Sequence, residues 1–469
     1  MHAHVDSERR RTSASWIFLF WPLLCSLGLA PLQAQAVPSF ARQTGMACQS
    51  CHTIFPELTP FGRAFKLNGY QIDNLPQVQD ITLNREQTLL LNQLPPLSFM
   101  LQTSFTHTNT ALPDSAVPGA NSQDGQILLP QQASLFYAGR IAPNLGAFVQ
   151  MTYSSDAGTI GWDNTEIRYS KQQSTGPGGL TYGFTLNNNP TVQDVWNSTP
   201  AWQTPFDQRS SAAPTPGAGA QVDGALAGDN AGFTGYLWWN NSVYAELGFY
   251  RASKQGATGT AGAGPLDSAT SPVVVGWAPY WRIAYEQQWD RNSLMVGAYG
   301  MDVKKNLTAT PIGGPTDHFR DAALDAQYQM IGDDRIWSLQ ATYIDEKQTL
   351  DASFGAGDSA NASNTLKTWR IGGSYYYQRT VGGGLGLFST SGSADAILYA
   401  PASVSGFANS SPNSSGWIGE LDYIPWQNVK FALQYISYNK FNGASSNYDG
   451  SGRNASDNNT LYALGWFAF

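Results

Sequence analysis

The stretch Phe319–Tyr343, FRDAALDAQYQMIGDDRIWSLQATY, decides the fold. In its first half Asp321, Asp325, Gln327 and Gln329 alternate with Ala322, Leu324, Tyr328 and Met330. In its second half Trp337, Leu339, Ala341 and Tyr343 alternate with Ser338, Gln340 and Thr342. Period-two patterning marks strands with one apolar and one polar face. The short connection GDD, Gly332–Asp334, joins the two. A soluble sandwich gives the same alternation, so the connections elsewhere have to choose between sandwich and barrel.

Working outward, the pattern repeats. LSFMLQTSF puts Leu97, Phe99, Leu101 and Phe105 on one face and Ser98, Met100, Gln102 and Ser104 on the other. About sixteen strands are predicted, near 97–107, 132–141, 145–153, 163–171, 178–187, 231–240, 242–251, 279–288, 292–303, 319–331, 334–345, 365–377, 383–390, 416–424, 429–438 and 458–469. Their connections mostly alternate in length. APN, NN, WDRN, GDD and PWQN are short, while 108–131, 188–230, 252–278, 304–318, 346–364, 391–415 and 439–457 are long. Short turns on one side and long loops on the other are the pattern of an outer-membrane barrel, and an even strand number returns both ends to the periplasm. The chain ends LYALGWFAF, and its terminal Phe469 resembles the assembly signal of such barrels. The fold class is therefore an all-β transmembrane barrel of antiparallel strands over 97–469, preceded by a small helical segment.

Composition agrees. Only 13% of the 469 residues are charged, against roughly a quarter in soluble domains. Yet the mean hydropathy is −0.28, and 47 glycines and 15 tryptophans accompany it. Few charges with many aromatics and turn residues fit strands crossing a membrane. The alternation turns Glu166, Arg168, Glu246, Arg282, Glu286, Asp321, Asp325, Glu420 and Asp422 toward the lumen. These read as a polar lumen more readily than as a cation path or as iron contacts near a haem. The loop acids Asp114, Asp156, Asp229, Asp317, Asp358 and Asp449 are scattered, and the Asn/Ser/Gly stretches near the C-terminus read as solvated loops.

The N-terminus begins with a basic leader, continues WIFLFWPLLCSLGLA and reaches AQA at Ala34–Ala36. Residues 1–36 read as a secretory signal. Cys25 falls inside it, which leaves Cys48 and Cys51 as the cysteines of the mature chain. No later apolar run reaches the roughly 18 residues a membrane helix needs.

MACQSCHTIF, Met46–Phe55, holds those two cysteines and His52. A zinc site needs about four ligands, and only His107 and His318 remain beyond this segment. A redox dithiol expects a βαβ context, and none follows, although a dithiol remains the main alternative. Cys-x-x-Cys-His is the attachment pattern of a c-type haem. Two thiols add to the two vinyl groups of one porphyrin, and the adjacent imidazole sits beneath the iron. One covalently attached haem c is thus expected on Cys48, Cys51 and His52, with His52 as proximal iron ligand. In LTPFGRAFKLNGY, Thr59 is a helix N-cap, Pro60 the first helical residue and Gly69 the residue past the end. Phe61, Phe65 and Leu67 are available to cover a macrocycle, and Arg63 and Lys66 to face its propionates or simply to form a basic face. Residues 37–96 are few for an independent core, so the barrel should cover part of the site. For the second axial position the candidates are Met46, Met100, His107 and later methionines. Met100 points inward near the periplasmic end of the first strand and is preferred, since methionine raises the potential.

FARQTGMACQSCHTIFPELTPFGRAFKLNGY, Phe40–Tyr70, resembles the signature of the fused monohaem cytochrome–porin family, outer-membrane proteins of iron-oxidising bacteria. The likeness covers about thirty residues in detail and only the architecture elsewhere. It implies an iron oxidase: a conduit that takes electrons from extracellular ferrous iron, Fe(II), and hands them to a periplasmic carrier such as a cytochrome c. Outer-membrane lipid is the implied surroundings, and no nucleic acid is expected as partner. The alternative is a porin whose haem serves another donor or a sensing role, with solute transport as its main task. An open lumen favours that alternative and a filled one counts against it.

Overall fold

The computed structural model describes residues 38–72, 77–79, 90–113, 124–155, 158–173, 178–198, 210, 212–226, 230–252, 273–306 and 314–469. The expected signal segment 1–36 and the acids Asp114, Asp156 and Asp229 lie outside the described residues.

Sixteen strands form a closed antiparallel ring: β1 (Leu97–Thr108), β2 (Ile127–Ala142), β3 (Leu145–Ser154), β4 (Thr159–Gln173), β5 (Leu180–Asn187), β6 (Asn230–Trp239), β7 (Val243–Ala252), β8 (Ala278–Trp289), β9 (Asn292–Asn306), β10 (Asp317–Ile331), β11 (Arg335–Thr349), β12 (Ser363–Tyr377), β13 (Val381–Gly392), β14 (Ser414–Trp426), β15 (Val429–Lys440) and β16 (Thr460–Ala468). Each pairs with its successor, and β16 closes the ring on β1 through pairs such as Leu464 with Ser104. Two short ladders accompany the ring, Val273–Val274 on β9 and Gln77–Gln79 with Leu90–Asn92.

Every expected strand is present, and the boundaries differ for local reasons. The second was expected to start near 132. It starts at Ile127, and Pro130 falls inside the register shift between Gln102 and Ser104 of β1. A bulge is where a strand tolerates proline, since no ladder donor is lost there. The short turns use residues that accept left-handed backbone: Asn240 and Asn241 have φ of 53° and 52°.

The alternation sorts the two faces. Leu324, Ile371 and Leu421 are 62%, 55% and 69% exposed on the outer wall, as suits an apolar belt against lipid. None of the nine charged residues expected inside is more than 6% exposed. What covers them is the chain itself. Residues 38–72 and 188–198 pack against the inner wall, and the turn Gln221–Ala225 donates Gln221 N to Glu346 and Val222 N to Asp321.

The C-terminal loops differ from the expectation of simple solvation. Phe441 and Tyr448 are fully buried with Ile418, Ile436 and Tyr438. Arg453 donates to the carbonyls of Thr110, Ala111 and Asp457. Turn-rich composition shows that the backbone bends there. It carries no information on which side chain collects the freed carbonyls, and here Arg453 does.

Candidate functional site

The inner segment is built from α1 (Pro38–Thr44), the single turn α2 (Cys48–Cys51) and α3 (Pro60–Leu67). The expected capping is present. Thr59 Oγ1 accepts from Gly62 N at 3.0 Å, Pro60 is the first helical residue and Gly69 has φ +70°. Thr59 also ties α3 to α2, donating from Oγ1 to Ser50 O at 2.8 Å and from N to Cys51 O at 2.9 Å. Gly62 lets the two cross closely: a Cβ there would lie 2.1 Å from Cys51 O. The turn runs from Cys48 to Cys51, so the two cysteines stand three positions apart at its ends. His52 then leaves in extended conformation and bridges to Leu58.

Cys51 and His52 stand on the wall of a cavity of about 1070 Å³, part of it open to solvent. The wall comes from three sources. Phe40, Met46, Phe55, Phe65, Lys66 and Tyr70 come from the inner segment, Phe148, Gln150 and Asn164 from β3 and β4, and Val192 and Asn197 from the loop after β5. Cys48 lines a second cavity of about 550 Å³, which His52 lines as well, with Arg379 and Lys430. Both thiols are free. Burial pushes Cys48 up to about 12 and Cys51 up to about 11. Burial also lowers His52 to about 4, with the peptide groups of Pro56 and Glu57 opposing. Its imidazole is therefore neutral at ordinary pH, and Nδ1 is buried without a hydrogen bond.

The remaining polar groups fasten the segment to the wall. Arg63 meets Glu286 of β8 with two hydrogen bonds, Nη2–Oε1 at 2.8 Å and Nε–Oε2 at 3.0 Å, and also reaches Gln329 of β10 at 2.9 Å. Glu57 accepts from Gln329 and Ser338, and burial raises its carboxyl against the pull of those bonds. Tyr70 donates to Glu166 Oε1 at 3.1 Å, and Tyr236 donates to Leu67 O. The wall also yields space: a Cβ on Gly146 of β3 would lie 2.0 Å from Gly69 O.

Against this geometry the sequence-predicted residues separate. Cys51, His52, Phe65 and Lys66 share the large cavity. Lys66 Nζ, however, is held by the carbonyls of Val192 and Asp194. Arg63 faces the wall, not the cavity. Leu67 is buried beside Trp196 and Tyr236, and Phe61 is 42% exposed. Met100 packs with Phe136, Trp466 and Ala468 around a separate small cavity. Phe55 lines both that cavity and the large one. His107 points outward and pairs with Asp124 at 2.9 Å. Among the described residues no cluster of three or more His, Cys, Asp or Glu side chains is placed to hold a metal ion. Sequence reasoning missed Glu57 and Trp196, whose Nε1 donates to Glu286 Oε2 at 2.7 Å. No periodicity marks either residue. The alternation did point Glu286 inward, but its partner Arg63 lies 223 positions away.

No protein-family model matches the chain, and no curated protein does. Solved structures with a similar barrel include a Salmonella typhi OmpF complex with daunomycin, at 10% identity and TM-score 0.45, covering 80% of this chain and 97% of that one. An anion-selective porin from Comamonas acidovorans is 14% identical with TM-score 0.42 over 80% and 98%. The outer membrane channel DcaP of Acinetobacter baumannii is 10% identical with TM-score 0.43 over 80% and 96%. The barrel architecture stated above rests on the strand register.

Proposed function

We propose that the chain is an outer-membrane electron conduit of the cytochrome–porin kind, carrying one haem c on Cys48, Cys51 and His52. The observation that carries the reading is the apolar cavity inside the barrel with Cys51 and His52 on its wall. The residues suit the group. Two free thiols offer thioether attachment, a neutral buried imidazole with an unsatisfied nitrogen offers a ligand, and Phe40, Phe65 and Phe148 offer apolar faces. Such a haem supplies one-electron transfer at a potential tuned by its ligands and burial. The chain's own part is to orient and to exclude water. Thr59 and Gly62 fix α3 against the Cys48–Cys51 turn, and Phe55 packs 5.1 Å from the His52 ring. Lys66 lines the cavity, with its Nζ bound to the carbonyls of Val192 and Asp194. The overall reaction is balanced by one ferrous ion losing one electron and one oxidised periplasmic carrier gaining it.

Position supports the exit half of this reaction. The turn residues Arg379, Gln427 and Asn428 line the cavity beside Cys48 and His52. They belong to the short-turn end, which faces the periplasm in outer-membrane barrels. A carrier there comes close to the site. Among the described residues Arg63, Trp196 and Val222 occupy part of the lumen, which speaks against solute transport as the main task.

The deciding experiment is anaerobic absorbance spectroscopy of the purified, air-oxidised protein during addition of ferrous iron. A reduced c-type band that appears rapidly and is lost in Cys51→Ala and His52→Ala supports the conduit. Absence of any haem band removes the attachment. A haem reduced by dithionite and untouched by ferrous iron keeps the conduit and replaces its donor.

A further inference from the structure

The outer wall carries a group of cations where an apolar belt should meet only lipid and water. On four neighbouring strands at the long-loop end, Lys304 of β9, His318 and Arg320 of β10, Lys347 of β11 and Lys367 of β12 all point outward. The ladder stacks them in rows. One row runs Asp302, Arg320, Lys347 and Thr365, and the next toward the middle runs Ala322, Asp345 and Lys367. The row below is apolar: Ala298, Leu324, Tyr343 and Trp369. The cations therefore sit directly on the rim of the belt, above a Tyr and a Trp of the kind that mark the membrane interface.

Neutralisation within the patch is incomplete. Asp302 is shared by His318 at 2.6 Å and Arg320 at 3.5 Å, and Asp345 lies 3.7 Å from Lys367. Lys304 and Lys347 have no ion-pair partner among the described residues. Lys347 stands directly opposite Arg320 in the ladder. Like charges in that position repel and destabilise a sheet. Arg320 and Lys367 are 59% and 52% exposed, so both remain available to an outside group. Four permanent cations against two carboxylates is a positive patch on a chain whose net charge is −8. Elsewhere at this end of the outer wall Arg251 stacks on Trp277 at 5.3 Å.

We infer that this patch binds the phosphate groups of a phosphorylated glycolipid of the outer leaflet, with the acyl chains lying on the apolar rows beneath. The chemistry is that of clustered Lys and Arg at a membrane surface, which capture anionic headgroups. Arg320 adds the planar fork that matches phosphate oxygens. A phosphate between Arg320 and Lys347 turns their mutual repulsion into two attractions. The placement of the long-loop end in the outer leaflet rests on the outer-membrane reading above.

The test uses the full protein in bilayer vesicles of zwitterionic phospholipid, doped with either bisphosphorylated lipid A or the same lipid after phosphate removal. Retention of the doped lipid on repurified protein is measured, with inorganic phosphate as competitor. Wild type should retain the phosphorylated form about tenfold more than Arg320→Gln/Lys347→Gln, and added salt should erode the difference. Arg320→Lys/Lys347→Arg keeps both charges and should restore retention. Electrophoretic heat-modifiability confirms that each variant is a folded barrel. Equal retention by the double Gln variant, or equal retention of the dephosphorylated lipid, overturns the proposal. Displacement by millimolar inorganic phosphate alone also overturns it, because the acyl contacts would then contribute nothing. A wild-type protein that enters no bilayer removes the outer-membrane reading and this proposal together. One that inserts and ignores phosphorylated lipid removes this proposal only.

Discussion

Arg63 of the inner helix and Glu286 of the barrel wall form a two-bond ion pair, both residues at most 1% exposed. Trp196 donates to the same carboxylate at 2.7 Å. One wall residue thus holds two separate pieces of lumen chain, α3 and the loop after β5. Replacing Glu286 by Ala leaves a buried guanidinium without its anion, a change that costs about 3–5 kcal/mol. The ring of strand pairs does not include this contact. Limited proteolysis of Glu286→Ala should therefore cut within 38–72 while the barrel stays heat-modifiable on a gel. Protection equal to wild type would show that the pair is dispensable for docking.

Two glycines set how closely the inner segment packs, Gly62 against the Cys48–Cys51 turn and Gly146 of the wall against Gly69. Gly62→Ala drives a methyl into the Cys51 carbonyl, and Gly146→Ala drives one into Gly69 O. Both contacts are with backbone, which cannot rotate away. Covalent haem per protein, read by absorbance after denaturation, should fall severalfold in Gly62→Ala. Gly146→Ala, on the wall, should lower thermal stability by about 1–3 kcal/mol with less effect on haem content. Full haem content in Gly62→Ala would mean that the turn has room the structure does not show.

Met100 was the preferred second ligand from sequence, and its side chain lines the small cavity beyond Phe55. Met46 lines the large one with His52. The absorbance and magnetic circular dichroism of the loaded protein should be unchanged in Met100→Leu. A stability loss under about 1.5 kcal/mol is expected from that volume-conserving swap. A changed ligand signature in Met100→Leu would assign Met100 to the iron.

Asp395 anchors a long-loop segment. Burial alone would raise its carboxyl, but the amides of Ala360 and Leu398 and the side chains of Ser359 and Asn364 outweigh it and hold it well below the usual range. A depressed carboxylate contributes stability that is complete above its unfolded value, about 3.9, and that fades as pH falls through the folded value. The loop should therefore resist protease at pH 5 and become cleavable only in strong acid. Asp395→Asn should be cleavable at pH 5 already. Cleavage of wild type at pH 5 would count against this anchor.

Conductance separates the two readings of the barrel. With residues 38–72 in place, single channels in planar bilayers should be small or absent. Deletion of that segment should raise conductance several-fold, since a sixteen-stranded ring encloses an aqueous lumen. A large conductance in the intact chain would favour solute transport.

Much of this was legible in the residues. The alternation in Phe319–Tyr343 and its repeats placed every strand, because side-chain period two is a property of extended backbone alone. It also placed Glu286, Asp325 and Glu420 inside. Thr59, Pro60 and Gly69 placed α3, because capping is satisfied within a few residues. Arg63 and Met100 were less legible, since their surroundings depend on chain far away.

The sequence by itself thus determined the sixteen strands, their two faces and the cap of α3, all set by contacts within a dozen residues. Only the tertiary structure decided that Arg63 pairs with Glu286, that Trp196 and Val222 fill the lumen, and that Phe55 lies between the two cavities. Closing the ring joins β16 to β1 and brings residues hundreds of positions apart to one interior. Which buried charge meets which partner there is settled by desolvation and shape, and neither leaves a periodic trace in the chain.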